Sequence, residues 1–177
     1  MRPTTYRILV EMSPRPTPPV TLRPATLADV PIILGFIREL AAYEKLEHQV
    51  VATQPLLAEQ LFGPHPAAEV VIAELNGAAV GFALFFYNFS TFLGRPGLFL
   101  EDLYVQPHAR GSGIGKALLR HLAGLAVARG CGRMDWNVLD WNAPAIGFYE
   151  KLGADVLPDW RTCRLTGDAL RALAGHP

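Results

Sequence analysis

Seven consecutive residues, Arg110-Gly111-Ser112-Gly113-Ile114-Gly115-Lys116, combine glycine and positive charge in a way that suits an anion. Glycine lets the main chain approach a ligand closely, and the first N–H groups of a helix form a ready anion site. Lys116 and Arg120 add charge nearby. Spacing narrows the choice of ligand. The phosphate loop G-x-x-x-x-G-K-[ST] fails, because Arg110 stands where its first glycine belongs and Ala117 replaces the hydroxyl residue. The dinucleotide pattern G-x-G-x-x-G also fails, since Gly111-Ser112-Gly113 would need glycine at Lys116. R-x-x-G-x-G fits, through Arg110, Gly113 and Gly115. A tight strand–helix turn that binds nothing would carry the same glycines.

Glu101 and Asp102 interrupt an otherwise apolar run, Leu98–Val105, just ahead of this loop. Strand side chains alternate, so the two carboxylates are expected on opposite faces, with only one in a given cleft. A surface charge at a strand edge is the competing reading. Tyr149 lies on a short helix opened by Asn142, whose side chain suits an N-cap. A tyrosine at helical spacing is as readily a core residue with one wet end. The histidines (His48, His65, His108, His121, His176) and the cysteines (Cys131, Cys163) show no metal-ligand spacing, so no metal is expected. No G-x-S-x-G elbow is present for a hydrolase.

With these residues in view, the chain resembles the GNAT superfamily of acetyl-CoA-dependent N-acetyltransferases, in which R-x-x-G-x-G wraps the CoA pyrophosphate. Arg23-Pro24-Ala25-Thr26, Ala41–Val50, Leu100–Val105, Arg110–Gly115 and Leu139-Asp140-Trp141-Asn142 through Phe148-Tyr149 carry the resemblance further. They look like the diamine acetyltransferases: the spermidine/spermine enzymes and their thialysine-acetylating relatives. The match runs over most of residues 20–174. Leu139-Asp140-Trp141-Asn142 leans toward the thialysine branch, and the chain is shorter around Pro158-Asp159-Trp160 than the polyamine enzymes, with fewer acids there.

The resemblance implies a role for each matching position. Main-chain groups of Leu103, Tyr104 and Val105 would hold the pantetheine arm, on a strand splayed from its neighbour. Arg110 through Lys116 (Gly111, Ser112, Gly113, Ile114, Gly115) would hold the pyrophosphate, and the turn Asn142-Ala143-Pro144-Ala145 would also touch CoA. Glu101 would be the base or bind the amine, and Tyr149 the general acid that protonates the thiolate. Tyr43, Glu44, Asp102, Asp135, Trp136 and Asn137 would line the amine site; a solvated helix end and an ordinary strand are the bland readings of those stretches. The chemistry independently asks for such groups. An alkylamine of pKa ~10.4 is only ~0.1% free base near neutral pH, a cost of about 4 kcal/mol before attack. The departing thiolate needs a proton, which a phenol supplies effectively.

The elements that must position these residues follow from periodicity. Val20–Pro24 reads as a strand. Ile33, Phe36, Ile37 and Leu40 mark a helix capped by Thr26 or Asp29, with Pro31 favouring the later start. Thr53 opens a second helix that Gly63-Pro64 stops. Ala68–Leu75 and Ala78–Tyr87 flank Asn76-Gly77, a type I′ hairpin signal. A helix over Gly113–Arg129, a strand over Arg133–Leu139, a helix over Ala143–Leu152, a strand over Thr162–Leu165 and a terminal helix complete a mixed α/β sheet in one domain, residues 20–177. Residues 1–19, with Pro3, Pro14, Pro16, Pro18 and Pro19, read as an extended arm.

Half of the 177 residues are apolar and 18% are charged, with zero net charge. No apolar run reaches the ~20 residues of a membrane span. A neutral balance argues against nucleic acid or an anionic membrane as partner. The charges are segregated: residues 29–102 hold nine acids against three bases, whereas 103–134 hold five bases and no acid. The expectation is a cytoplasmic enzyme with acetyl-CoA as co-substrate, a small cationic amine as acceptor and, with the family, a homodimer. Acetylation of a protein amine or an aminoglycoside, and a non-catalytic acyl-CoA sensor, are the alternatives.

Overall fold

The computed structural model describes residues 20–175; the arm expected over 1–19 lies outside the described residues. The chain divides into two units, one ending at Asn137 and one beginning at Val138.

In the first unit a five-stranded sheet follows chain order: β1 (Val20–Pro24), β2 (Glu69–Leu75), β3 (Ala78–Ser90), β4 (Arg95–Val105) and β5 (Met134–Trp136). Neighbours are antiparallel except β4 and β5, which are parallel. A parallel neighbour needs a crossover, and α3 (Ile114–Ala128) provides it. Asn76 and Gly77 both have positive φ, 54° and 77°, as the type I′ turn requires.

Two helices cover one sheet face, α1 (Val30–Glu44) and α2 (Gln54–Phe62). A 3-10 turn over Leu27–Asp29 precedes α1, so Thr26 opens the turn and Asp29 the helix. Thr53 Oγ accepts the Leu56 N–H at 3.4 Å and caps α2. Ile33 and Phe36 of α1, Leu61 of α2 and Val70, Ile72, Phe82 and Tyr104 of the sheet form one buried cluster. Val71, Ala73 and Ala83 alternate with these and are buried on the opposite face. There α3 supplies its apolar stripe of Ile114, Leu118 and Leu122.

The register along β4 breaks once. Asp102 lies opposite Leu84 and Leu100 opposite Phe85, leaving Glu101 as the extra residue of a β-bulge. Paired residues share a face. Leu100 therefore lies with Phe85 on the α3 face, and Asp102 and Tyr104 lie with Leu84 and Phe82 on the α1 face. The uninterrupted alternation expected from Leu98 to Val105 is corrected here: the bulge, not the period of two, sets which face receives Asp102.

Arg23 ties β1 to β2 and to the turn that opens α1. Its Nε donates to Glu74 at 2.7 Å, and its two terminal nitrogens donate to the Asp29 carboxylate at 2.8 Å. Asp29 also accepts the Thr26 main-chain N–H at 2.7 Å. The guanidinium holds the Asp29 carboxyl well below the usual carboxylate range.

The second unit contains α4 (Ala143–Glu150) and α5 (Gly167–Leu173). The strand expected over Thr162–Leu165 does not form; all four residues are exposed, and a strand without a partner edge or a covered face gains nothing from its apolar side chains. The strand expected over Arg133–Leu139 shortens to β5. No helix of the described residues is long and apolar enough to cross a membrane.

Arg23→Met is expected to cost about 1 kcal/mol at pH 7, a figure discounted because the guanidinium is partly solvated. Asp29 has a lowered folded pKa, so its contribution is present above the unfolded value near 4 and fades as pH falls further. Urea melts at pH 7 and pH 3 should therefore show the deficit shrinking in acid. A deficit independent of pH would assign the loss to packing.

Candidate functional site

Beyond β4 the chain turns through a short 3-10 segment, Pro107–Ala109, into the glycine loop. Gly111 and Gly113 have φ of 78° and 85°, in the left-handed region. A Cβ added at either would meet nothing within 4 Å, so the glycines serve the path of the main chain rather than a crowded neighbour. Among the described residues, no acceptor meets the main-chain N–H groups of Gly113, Ile114, Gly115 and Lys116. These donors converge at the positive end of α3, where an anion is favoured. Ser112 Oγ donates back to the Ala109 carbonyl and braces the loop.

The Arg110 side chain is committed elsewhere. Its Nε donates to the Val105 carbonyl at 2.8 Å, and its guanidinium carbon lies 5.1 Å from the Tyr43 ring centre and 5.7 Å from that of Tyr104. Tyr104 is buried against Phe36, with ring centres 6.1 Å apart. Burial, then a hydrogen bond with Glu39, pushes its phenol above the ordinary value. Gln106 Nε2 donates to both Glu39 oxygens at 3.2 Å. Glu39 and Gln106 were not anticipated from sequence; the only trace is that Glu39 sits one helical turn before Tyr43.

Glu44 ends α1, and Lys45 follows in the left-handed region at φ 63°, its N–H bonded to Ala41 and Ala42 carbonyls. The bulge turns Asp102 to this same face. Burial first, then the charges of Glu101 and Glu44, pushes the Asp102 carboxyl up to about 6. Burial also raises Glu44. None of the three carboxylates forms a salt bridge among the described residues, so the cluster favours a cation.

The register of β4 with β5 covers only Leu98–Leu100. Leu103, Tyr104 and Val105 lie beyond it, hydrogen-bonded to β3 on one side. The expected second substrate stretch is divided between the two sheet faces and the strand end. Asp135 lies opposite Phe99, on the face of Asp102, but is ion-paired with Arg133 at 2.7 Å. Trp136 lies opposite Leu100 on the α3 face, and Asn137 is exposed past the strand end.

In the second unit, Asn142 Oδ1 accepts the Ala145 N–H at 3.3 Å and Pro144 occupies the first turn of α4, as the cap requires. The Ala143 N–H donates to the Trp141 carbonyl at 3.0 Å. Tyr149 is half-buried on α4, its ring 5.4 Å from Phe148, and its carbonyl accepts from Leu152 and Ala154.

Comparison with known proteins gives the family. Residues 36–154 match the acetyltransferase (GNAT) family, a span that crosses from one unit into the other. Thialysine N-epsilon-acetyltransferase of Bos taurus is 39% identical, over 88% of this chain and 98% of its own. L-ornithine N5-acetyltransferase NATA1 of Arabidopsis thaliana is 36% identical over 86% of each. Among solved structures, an integron cassette protein from the mobile metagenome of V. cholerae aligns with a TM-score of 0.74 at 29% identity, over 88% of this chain and 97% of that one. The chain with the open donor row and the carboxylate-lined helix end therefore belongs to the GNAT family of acetyltransferases.

Proposed function

We propose that this protein transfers acetyl from acetyl-CoA directly to a primary amine of a small cationic substrate, of the thialysine/lysine-like or diamine/polyamine class. The observation that carries the proposal is the presence in one unit of an open anion-binding donor row and a cluster of three carboxylates that form no salt bridge among the described residues. The named activities of the thialysine and ornithine relatives support the same acceptor class. We read residues 20–177 as one acetyltransferase domain, working as a cytoplasmic homodimer as the family resemblance implies.

The residues fit the donor molecule. The N–H groups of Gly111 through Lys116 would take its pyrophosphate, with the Lys116 ammonium adding charge. The main-chain edge of Leu103–Val105 would take the pantetheine amides, and Asn142–Ala145 the adjoining part. When bound, acetyl-CoA supplies an activated thioester carbonyl.

The rest is done by side chains of this chain. Glu44 and Asp102 attract and orient the ammonium group, with Tyr43 beside them. Glu101 receives the amine proton, directly or through one water, offsetting the ~4 kcal/mol that holds the amine in its inert form. The amine nitrogen then bonds to the carbonyl carbon as the carbon–sulfur bond breaks; Tyr149 donates its phenol proton to the sulfur, and the second proton lost from the nitrogen returns through water to the Tyr149 phenolate. Holding amine and thioester in contact supplies much of the acceleration.

Release of CoA from acetyl-CoA, measured over spermidine, putrescine, lysine, ornithine, thialysine and an aminoglycoside, tests the class. Turnover is expected on a small cation; CoA binding with no turnover on any of them would overturn the proposal.

Tyr149→Phe should lower kcat about 100-fold with little change in the KM for acetyl-CoA. Unchanged turnover and an unchanged pH profile would remove Tyr149 from the chemistry. Gly113→Ala forces a Cβ onto a left-handed residue, a strain of about 1–2 kcal/mol, and should raise the acetyl-CoA KM roughly tenfold.

Asp102→Asn trades function for stability. The raised folded pKa means the folded state keeps a proton that the unfolded chain has lost, so stability falls as pH rises from about 4 to 6. The penalty is complete above that range. The variant should therefore be about 1–2 kcal/mol more stable than wild type at pH 7.5 and no more stable at pH 4, with a higher KM for the amine. Thermal melts at the two pH values check the sign.

A further inference from the structure

We infer that Arg110 is a positioning residue that couples the glycine loop to the amine-binding end of α1 through its stack on Tyr43. The inference rests on the proposal that Tyr43 and Glu44 belong to the amine site. An arginine at the head of an anion-binding loop would ordinarily be read as a counter-charge for phosphate. Here Nε is already bonded to the Val105 carbonyl, and the guanidinium lies over two tyrosine rings, one from α1 and one from β4.

That arrangement joins three places that the backbone leaves separate. The loop begins at Arg110, β4 ends at Val105, and Tyr43 occupies the last turn of α1 next to Glu44. Glu39 fixes the same stretch of helix one turn earlier, through Gln106 and Tyr104, both at the end of β4. The final turn is closed by Lys45 in a left-handed conformation that residues other than glycine adopt at a cost. The helix end that carries Tyr43 and Glu44 is thus set by side-chain contacts, and Arg110 is the contact that belongs to the loop. When the loop settles around the donor's pyrophosphate, Arg110 holds Tyr43, and with it Glu44, in the orientation that receives the amine.

The stack is selective for arginine. A planar guanidinium can lie flat on a ring while its Nε donates to a carbonyl; a lysine ammonium has no such fork. A cation on an exposed ring is a modest interaction, so loss of the stack should change amine binding about five- to tenfold.

Steady-state kinetics of the full chain tests the coupling. Arg110→Lys, Arg110→Gln and Tyr43→Leu should each raise the amine KM about five- to tenfold at saturating acetyl-CoA, with kcat changed far less. Arg110→Gln combined with Tyr43→Leu should be no worse than either alone, and Tyr43→Phe should recover most of the loss seen with Tyr43→Leu. If Arg110→Lys keeps the amine KM within twofold, or Arg110→Gln raises only the KM for acetyl-CoA, Arg110 is a phosphate counter-charge and the inference fails. Should Arg110 variants not fold, Tyr43→Leu, whose side chain is exposed, carries the test through the acetyl-CoA dependence of the amine KM: coupling requires rising acetyl-CoA to lower that KM in the wild type and not in the variant, and the same dependence in both overturns it. Glu44→Gln separates the two levels. An unchanged amine KM in that variant removes the amine site from α1 and overturns both readings. A raised KM there, with Tyr43→Leu and Arg110→Lys unaffected, overturns only the coupling.

Discussion

One extra residue in β4 organises this protein. Without the bulge at Glu101, the strand could not serve two cores. Leu98 and Leu100 are buried against the α3 side, while two residues further on Asp102 and Tyr104 must face α1. A strict period of two forbids that switch, since residues at even separation stay on one face. The bulge permits it and places the inserted residue, a glutamate, at the point of change. The carboxylate assigned to take the amine proton is thus the one residue of β4 outside the ladder with β3.

The same switch creates an electrostatic cost. Asp102 enters a poorly hydrated face already facing Glu44 and next to Glu101, and its carboxyl gives up part of its acidity in response. Stability would be better served by an apolar residue. A cluster of this kind is useful to an enzyme whose acceptor arrives as a cation, because the incoming charge relieves the repulsion that folding imposed. At the other pole, the N–H donors ahead of α3 carry a partial positive charge suited to a pyrophosphate. The excess of acids in residues 29–102, followed by five bases and no acid in 103–134, is the sequence image of these two poles.

Arg110 belongs to the loop in sequence and to the acceptor side in space. Its Nε bond to Val105 and its position over Tyr43 and Tyr104 take it away from the role its motif suggests. The backbone of the loop, free of side-chain competition at Gly111 and Gly113, is left as the anion-binding element. A division of labour follows, with main chain for the anion and side chain for alignment of α1.

Much of the architecture was legible in the chain. Asn76-Gly77 specified the hairpin because two successive positive φ angles suit few other pairs, and Thr53 and Asn142 announced their helices because a cap is a local hydrogen bond. The glycine loop was readable for the same reason: its conformation is dictated residue by residue. Thr162–Leu165 misled because a strand is not a local object; its apolar residues specify nothing without a partner edge. The bulge and the stack of Arg110 on Tyr43 were likewise decided only by the tertiary structure. Each depends on which residue a partner strand or helix brings opposite, at separations of up to 67 residues. Sequence by itself determined what each segment prefers, because turns and caps are settled among near neighbours. Only packing decided which face Glu101 and Asp102 serve, because register is a property of two strands and not of one.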